Sequence, residues 1–215
     1  MGTLLTFEPP APHLRAELLA RTGADVGEAA ARRAIRAEIA FYRAHLHEGS
    51  DAAGLAALRR ASAEAMRPEL GLDVDGGTLT EALLASLRFH AFPEVPGALA
   101  AVRDRGIALV VLSNWDVSLH ERLAETGLAP LLDGAVASAE IGAAKPEPAA
   151  FAHALELAGA GPGEAWHVGD SPREDVDGAR AAGLTPVLVA RDGTRPPGVL
   201  AVSALDEVPL LFEAP

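Results

Sequence analysis

Four short apolar runs alternate with longer amphipathic stretches in the second part of this chain. The runs cover residues 107–112, 135–137, 165–168 and 186–190. The stretches between them are long enough for helical crossovers, which join strands that lie parallel in one sheet. The pattern predicts an α/β fold, a doubly wound parallel sheet with a Rossmann-like core and helices on both faces.

The first part of the chain has a helical pattern instead. Asp25–Glu28 and Thr78–Glu81 have the spacing of capping boxes, and each precedes an Ala- and Leu-rich run. We therefore predict a helical bundle, inserted as a cap over residues 9–90, with no strand between His13 and Arg88. Residues 1–8 and 91–215 are assigned to the α/β core.

Composition and charge argue against several classes of partner. The net charge of −12 lacks the basic footprint of a nucleic-acid-binding protein. The chain has no cysteine, so disulfides, thiol nucleophiles and cysteine metal sites are excluded. No apolar run reaches the roughly 18 residues of a membrane span, and we expect a cytoplasmic protein without a membrane partner. Nothing in the sequence sets the oligomeric state.

The residues that follow each apolar run are the first candidates for a site, because ligands bind at the carboxyl ends of parallel strands. Ser113 and Asn114 follow the first run, where free backbone N–H groups at a helix start can hold a phosphate oxygen. A structural alternative is that Ser113 or Asp116 only caps the next helix. Both interpretations stay open at this point.

Lys145 is the only lysine of the chain, and all other lysine- or arginine-type cationic side chains are arginines. A chain that uses arginine elsewhere has kept a compact ammonium at one site, which favours a functional role over chance. Lys145 follows the second apolar run and precedes Pro146.

Asp170 and Asp175 follow the third apolar run, in the segment 169–175. Ser171, with Glu174 three residues later, explains part of this segment as a capping box. It explains neither aspartate. Their spacing allows both carboxylates to face one hard cation such as Mg²⁺, which would relieve their mutual repulsion.

Three of these segments together resemble the motifs of the haloacid dehalogenase (HAD) superfamily, in the subfamily with a helical cap. The segment SNWD at 113–116 is similar to the second motif of that family, AAKPEPAAF at 143–151 to the third, and HVGDSPREDVDGARAAG at 167–183 to the fourth. The resemblance covers essentially the whole chain.

The resemblance implies a Mg²⁺-dependent phosphatase that acts on a small phosphate monoester through an aspartyl-phosphate. It implies that Ser113, Asn114 and Thr3 bind the phosphorylated substrate and that Lys145, with Ser113, is catalytic. Asp170 and Asp175 would then be the metal ligands.

The first motif of the family is incomplete in this chain. Gly2 to Leu5 match its end, but Met1 stands where the second aspartate would be, and the nucleophile would lie two residues earlier. The strand that carries it is central in the family's sheet. Asp73–Thr78 resembles the motif only superficially, because no apolar strand precedes it. Leu4 to Phe7 is a candidate to occupy the place of the missing strand in the sheet.

Three functional hypotheses follow. We favour a phosphatase whose upstream residues were lost through a misplaced start or a shortened fragment, and we expect little hydrolysis from the chain as it stands. The second is a non-catalytic, HAD-like protein that binds a phosphorylated ligand. The third is a 2-haloacid dehalogenase, which uses the same nucleophile without a metal.

Overall fold

The computed structural model describes residues 2–212, and the chain forms two compact units. The helical unit is Phe7–Phe89, and the α/β unit contains the residues up to Thr6 and those from His90 onward. Two short strands, β1 (Leu5–Phe7) and β2 (Phe89–Ala91), are hydrogen-bonded to each other where the chain passes between the units.

The helical unit consists of four helices around one apolar core. They are α1 (Pro10–Thr22), α2 (Glu28–His45), α3 (Ala52–Leu70) and α4 (Gly76–Ser86), with a 3₁₀ turn at Leu46–Glu48. Each helix contributes fully buried apolar side chains to the core, among them Leu14, Leu18, Met66, Leu79 and Leu83. None of the described helices is long and apolar enough to cross a bilayer.

Two of the predicted helix caps are wrong. α2 begins at Glu28 after Gly27, and Asp25 binds the Arg15 guanidinium at 3.0 Å instead of a backbone N–H. α4 begins at Gly76, where the Asp75 carboxylate accepts the Thr78 N–H at 2.9 Å. Asp75, which belongs to the superficial first-motif match, is therefore a capping residue.

The α/β unit has five further strands, all paired in parallel, and the predicted α/β class is confirmed. β3 (Val110–Ser113) pairs with β4 (Gly134–Ala137). β5 (Trp166–Gly169) pairs with β6 (Thr185–Val189), which in turn pairs with the two-residue strand β7 (Ala201–Val202). The sequence pattern did not indicate β7, because two residues are too few to show a period.

Helices and turns connect these strands. The helices are α5 (Val95–Arg103), α6 (Leu119–Glu125), α7 (Ser138–Ile141), α8 (Pro148–Ala158) and α9 (Gly178–Ala181). The chain also forms 3₁₀ segments at Ala129–Leu131, Pro162–Glu164 and Leu205–Phe212 and a π-helical turn at Pro172–Asp177.

The helices pack on both faces of the strands, as a doubly wound fold requires. One apolar cluster joins α5 and α6 to the strands through Leu99, Leu119 and Val187. A second cluster joins α8 and α9 to them through Phe151 and Leu112. Because neighbouring residues of a strand point to opposite faces, β3 contributes Leu112 to one cluster and Val111 to the other.

Strands β3 to β7 form two separate sheets within the described residues, with the orders β3-β4 and β5-β6-β7. A cavity of about 420 Å³ is bordered by both β3 and β5. The sequence analysis named Leu4 to Phe7 as a candidate for the place of the missing first-motif strand. That expectation is wrong, because Leu5–Phe7 pairs with β2.

Candidate active site

The candidate site lies where β3 and β5 end and where two loops meet them. Ser113 is the last residue of β3, and Asp170 directly follows β5. Thr3 and Lys145 come from loops, and all four residues line the same cavity. The structure thus brings together four side chains that the sequence analysis selected from distant positions.

The Lys145 ammonium forms an ion pair with Asp175, the fifth selected side chain. Its Nζ lies 2.6 Å from Asp175 Oδ1, and both side chains are largely buried. From the sequence, a bound cation is the simpler explanation for two nearby carboxylates, Asp170 and Asp175. Lys145 supplies that positive charge from the protein itself.

Two further donors complete the surroundings of Asp175. His167 Nε2 lies 2.9 Å from the same Oδ1, and the Ser171 N–H donates to Oδ2 at 2.8 Å. Burial alone raises the pKa of Asp175, but the His167 hydrogen bond and the charge of Lys145 outweigh it and hold this pKa well below its ordinary value. Both carboxylate oxygens of this ionised group are engaged by protein donors.

The His167 ring is held between a carboxylate and an aromatic side chain. It meets the Phe151 ring edge-on, with ring centroids 5.0 Å apart. Burial lowers the pKa of His167, the Asp175 hydrogen bond opposes this, and the Lys145 charge lowers it again. The sequence alone assigned His167 no catalytic or metal-binding role, and its spacing of eight residues from Asp175 was the available signal.

Asn114 holds the loop that carries Lys145. Its Nδ2 donates to the Lys145 carbonyl at 2.9 Å, and its Oδ1 accepts the Lys145 N–H at 2.8 Å. This paired contact orients the Lys145 backbone through a residue 31 positions away. The amide predicted to bind substrate therefore has a positioning contact in the structure.

Asp170 is held by the first residues of the described chain. Thr3 Oγ1 donates to Asp170 Oδ1 at 2.7 Å. Gly2 has a φ of 113°, and a Cβ added there would lie 2.5 Å from Asp170 Oδ2. Glycine suits this position for two reasons. It adopts the positive φ without strain, and it has no Cβ to collide with the second carboxylate oxygen of Asp170.

Arg191, two residues beyond β6, fixes this same segment. Its guanidinium donates to the Gly2 carbonyl at 2.7 Å and to the Thr3 carbonyl at 2.9 Å. It also pairs with Glu94 at 2.7 Å and lies over the Phe92 ring, 3.5 Å from the centroid. Sequence reasoning missed Arg191, because no local motif marks an arginine that binds carbonyls 188 positions away.

The segment after β5 starts as the sequence predicts. Ser171 Oγ accepts the Glu174 N–H at 3.2 Å, which confirms the capping interaction. The following turn is π-helical, with a Val176 N–H to Ser171 carbonyl bond at 3.3 Å. Such turns are common at functional sites, and this one carries Asp175, whose carboxylate contacts Lys145.

The donor set fits a magnesium ion only at Asp170. No group of three or more His, Asp or Glu side chains suited to a metal occurs in residues 2–212. Mg²⁺ is usually held by one or two carboxylates, several waters and substrate phosphate. Asp170 lines the cavity, and the missing side chain at Gly2 leaves room beside its Oδ2, which is compatible with that kind of site.

Comparison with known proteins identifies the family. The profile of the haloacid dehalogenase-like hydrolases matches residues 1–183. The chain therefore belongs to the haloacid dehalogenase-like hydrolases, and the resemblance inferred from the three motifs is confirmed.

The relatives include both phosphatases and dehalogenases. The chain is 44% identical to a phosphoserine phosphatase of Thermus thermophilus over 110 residues, 51% of this chain and 44% of that protein. It is 32% identical to haloacetate dehalogenase H-2 of a Moraxella species over 126 residues, 58% of this chain and 56% of the relative. The chain thus matches about half the length of these curated relatives.

One solved structure matches a larger share of this chain than these two relatives do. A HAD phosphatase from Thermococcus onnurineus superimposes with a TM-score of 0.67 at 26% identity, covering 99% of this chain and 94% of that one. The agreement extends over both units and supports the α/β assignment.

Proposed function

We propose that this chain carries the phosphate- and metal-binding part of a Mg²⁺-dependent phosphatase site for a small phosphate monoester. The observation that carries the proposal is the convergence of Thr3, Ser113, Lys145 and Asp170 on one cavity. A hydroxyl and an ammonium can hold anionic phosphoryl oxygens, and a carboxylate can hold the metal ion that offsets their charge. The identity to phosphoserine phosphatase supports the same reaction class.

Each residue has a distinct role in this proposal. Ser113 holds a phosphoryl oxygen through its hydroxyl group, and Lys145 neutralises the phosphoryl charge. Thr3 donates its hydroxyl proton to Asp170, and a substrate contact of Thr3 stays a prediction. Asp175 holds the ammonium in place through the ion pair, and we assign it this positioning role in preference to that of a metal ligand. Asn114 positions the Lys145 backbone, and a substrate contact of its amide stays a prediction.

Asp170 is the proposed metal ligand. When bound, Mg²⁺ would polarise the phosphoryl group and offset its negative charge. The Thr3 hydroxyl orients the Asp170 carboxylate for that task, through the 2.7 Å hydrogen bond.

A dehalogenase is the second candidate, and the relative from Moraxella supports it. The two reactions differ in what they require. Halide removal from a 2-haloacid proceeds without a metal, whereas the proposed phosphatase needs one at Asp170. A binding protein for phosphorylated ligands is the third candidate, and it would bind phosphate without turnover.

The deciding experiment measures binding and turnover on the same protein. Inorganic phosphate is titrated by calorimetry with Mg²⁺ or with EDTA, and phosphate and halide release are followed from small phosphate monoesters and 2-chloropropionate. We expect phosphate binding that depends on Mg²⁺, little hydrolysis and no halide release. Metal-independent halide release, or the lack of any Mg²⁺-dependent phosphate binding, would refute the proposal.

Two variants separate the roles of metal and phosphate. Asp170→Asn is expected to remove the effect of Mg²⁺ on phosphate binding, and Lys145→Ala to weaken phosphate binding with or without Mg²⁺. Asp177→Asn is the matched control, since Asp177 is an exposed aspartate in the same segment. Unchanged binding in both site variants contradicts the roles assigned here.

A further inference from the structure

His167 and Lys145 donate to the same carboxylate oxygen. His167 Nε2 lies 2.9 Å from Asp175 Oδ1, and Lys145 Nζ lies 2.6 Å from that atom. An ionised carboxylate only accepts hydrogen bonds, so the imidazole Nε2 carries the proton that it donates to Asp175. Two protein donors therefore share the charge of Oδ1, whereas Oδ2 accepts the Ser171 N–H at 2.8 Å.

The packing around the imidazole holds it in this position. The Phe151 ring meets it edge-on, with ring centroids 5.0 Å apart. Phe151 is itself fully buried and packs against the backbone of Gly178, where an added Cβ would come within 2.8 Å of the ring. The His167 side chain is only 12% exposed. Because interiors are close-packed, the imidazole has little freedom to turn away from Asp175.

The pleat of β5 explains why residue 167 reaches this carboxylate. His167 and Gly169 lie two positions apart in β5, so they face the same side of the strand. A Cβ at position 169 would overlap the Asp175 carboxyl carbon. The carboxyl group therefore lies against the strand at Gly169, on the side to which the His167 ring projects.

The Lys145 ammonium retains donors for a ligand. An ammonium group has three N–H bonds, and the ion pair with Asp175 uses one of them. Within residues 2–212, Nζ has no hydrogen-bond partner other than Asp175. Lys145 and His167 both line the cavity. The strength with which Asp175 holds Nζ therefore determines how readily the other two N–H bonds meet an anion in the cavity.

We infer, on the basis of the phosphate site proposed above, that His167 is a positioning residue that sets the place of the Lys145 ammonium and thereby the affinity for phosphoryl oxygens. The imidazole N–H takes up part of the charge of Asp175 Oδ1, which weakens the hold of this oxygen on Nζ. Without that donor, Oδ1 binds the ammonium more tightly and draws it away from the cavity. His167 itself touches neither phosphate nor metal in this role.

The test uses the full chain, isotopically labelled at the lysine side chain. Lys145 is the only lysine, so its Cε gives a single signal in NMR spectra. His167→Leu removes the donor, and His167→Gln keeps one, because the glutamine Nε2 lies about as far from the backbone as the imidazole Nε2. Neither variant has a ring at position 167, so a difference between their ligand-free Lys145 signals reports on the donor. We expect such a difference.

Titration with inorganic phosphate in EDTA measures the consequence for binding. Half of the phosphate-induced shift of the Lys145 signal should need about three- to tenfold more phosphate in His167→Leu than in His167→Gln, as expected for one hydrogen bond. The gain in phosphate affinity on adding Mg²⁺ should be equal in both variants, because neither alters Asp170. His153→Leu and His153→Gln, at an exposed histidine on α8, are the matched controls and should not differ from each other.

Identical ligand-free Lys145 signals in His167→Leu and His167→Gln would overturn the inference, as would equal or tighter phosphate binding by His167→Leu. If His167→Leu does not fold, His167→Asn takes its place, because the shorter amide does not reach Asp175 Oδ1. A parent chain whose Lys145 signal does not respond to phosphate refutes the phosphate site itself. The ligand-free signals then still decide whether His167 positions Lys145, so the two failures can be distinguished.

Discussion

The Lys145 ammonium and the Asp175 carboxylate form an ion pair of 2.6 Å whose side chains are only 11% and 5% exposed. Burying two charges costs desolvation energy, which a pair regains only with good geometry and additional hydrogen bonds. Asp175 has these, from His167 and from the Ser171 N–H. The pair therefore fixes the position of the Lys145 ammonium at the cavity.

Asp175→Asn is expected to destabilise the protein and to displace Lys145. Removal of one partner leaves a buried, uncompensated charge, which typically costs about 3–5 kcal/mol. Urea unfolding at neutral pH measures the change in the free energy of unfolding. The exposed control Asp177→Asn should change it by less than about 0.5 kcal/mol, and equal losses in both variants would contradict the role of the pair.

Gly169→Ala tests how closely β5 approaches this pair. A Cβ at position 169 would overlap the Asp175 carboxyl group, so the side chain or the strand must shift. We expect a loss of about 1–3 kcal/mol in stability, as for other overpacked sites. Gly163→Ala has open space around its Cβ and should be neutral or slightly stabilising. The contrast between the two melting temperatures checks the prediction.

The sequence predicted the parts of this fold that depend on periodicity. Short apolar runs indicated four of the parallel strands, and the residues after them indicated Ser113, Lys145 and Asp170. These three residues line one cavity, since the carboxyl ends of parallel strands share one edge of a sheet. The capping of the turn at Ser171 was also correct, since that interaction is local.

Distant donors also contact acidic side chains that the sequence analysis selected from local spacing. Asp25 matches a capping box, but Arg15 offers a charged donor at 3.0 Å, and the helix begins at Glu28. Asp175 matches a metal-binding spacing and also forms an ion pair with Lys145 across 30 positions, so its role as a metal ligand stays a prediction. Local spacing indicates which neighbouring groups can interact, but it does not determine which distant residue forms the contact.

Arg191→Ala is expected to loosen residues 2–5 without unfolding the chain. The guanidinium binds the carbonyls of Gly2 and Thr3, and charge-assisted hydrogen bonds contribute about 1.5–3 kcal/mol each. Hydrogen exchange of these amides should accelerate about tenfold or more.

Arg191→Lys should not restore protection, because an ammonium cannot reproduce the fork of contacts. Arg195→Ala is the control, since its guanidinium binds Ser203 on the exposed surface. Unaltered exchange in Arg191→Ala would show that Asp170 is held without this arginine.

Glu38 makes the stability of the protein depend on pH in a specific range. It is 5% exposed within α2, and burial raises its pKa from 4.5 to about 7. The folded state therefore binds more protons than the unfolded state between these values. Stability is highest below about pH 4.5 with respect to this group and falls as the pH rises to about 7.

Glu38→Gln should remove that dependence, because an amide mimics the protonated acid without ionising. We expect the variant to be more stable than the parent by up to about 3 kcal/mol at pH 8, and by little at pH 5. Urea midpoints at the two pH values measure the difference. Glu48→Gln, at an exposed glutamate just beyond α2, should shift neither midpoint. An equal gain for Glu38→Gln at both pH values would show that packing, rather than ionisation, is the reason that Glu38 lowers the free energy of unfolding.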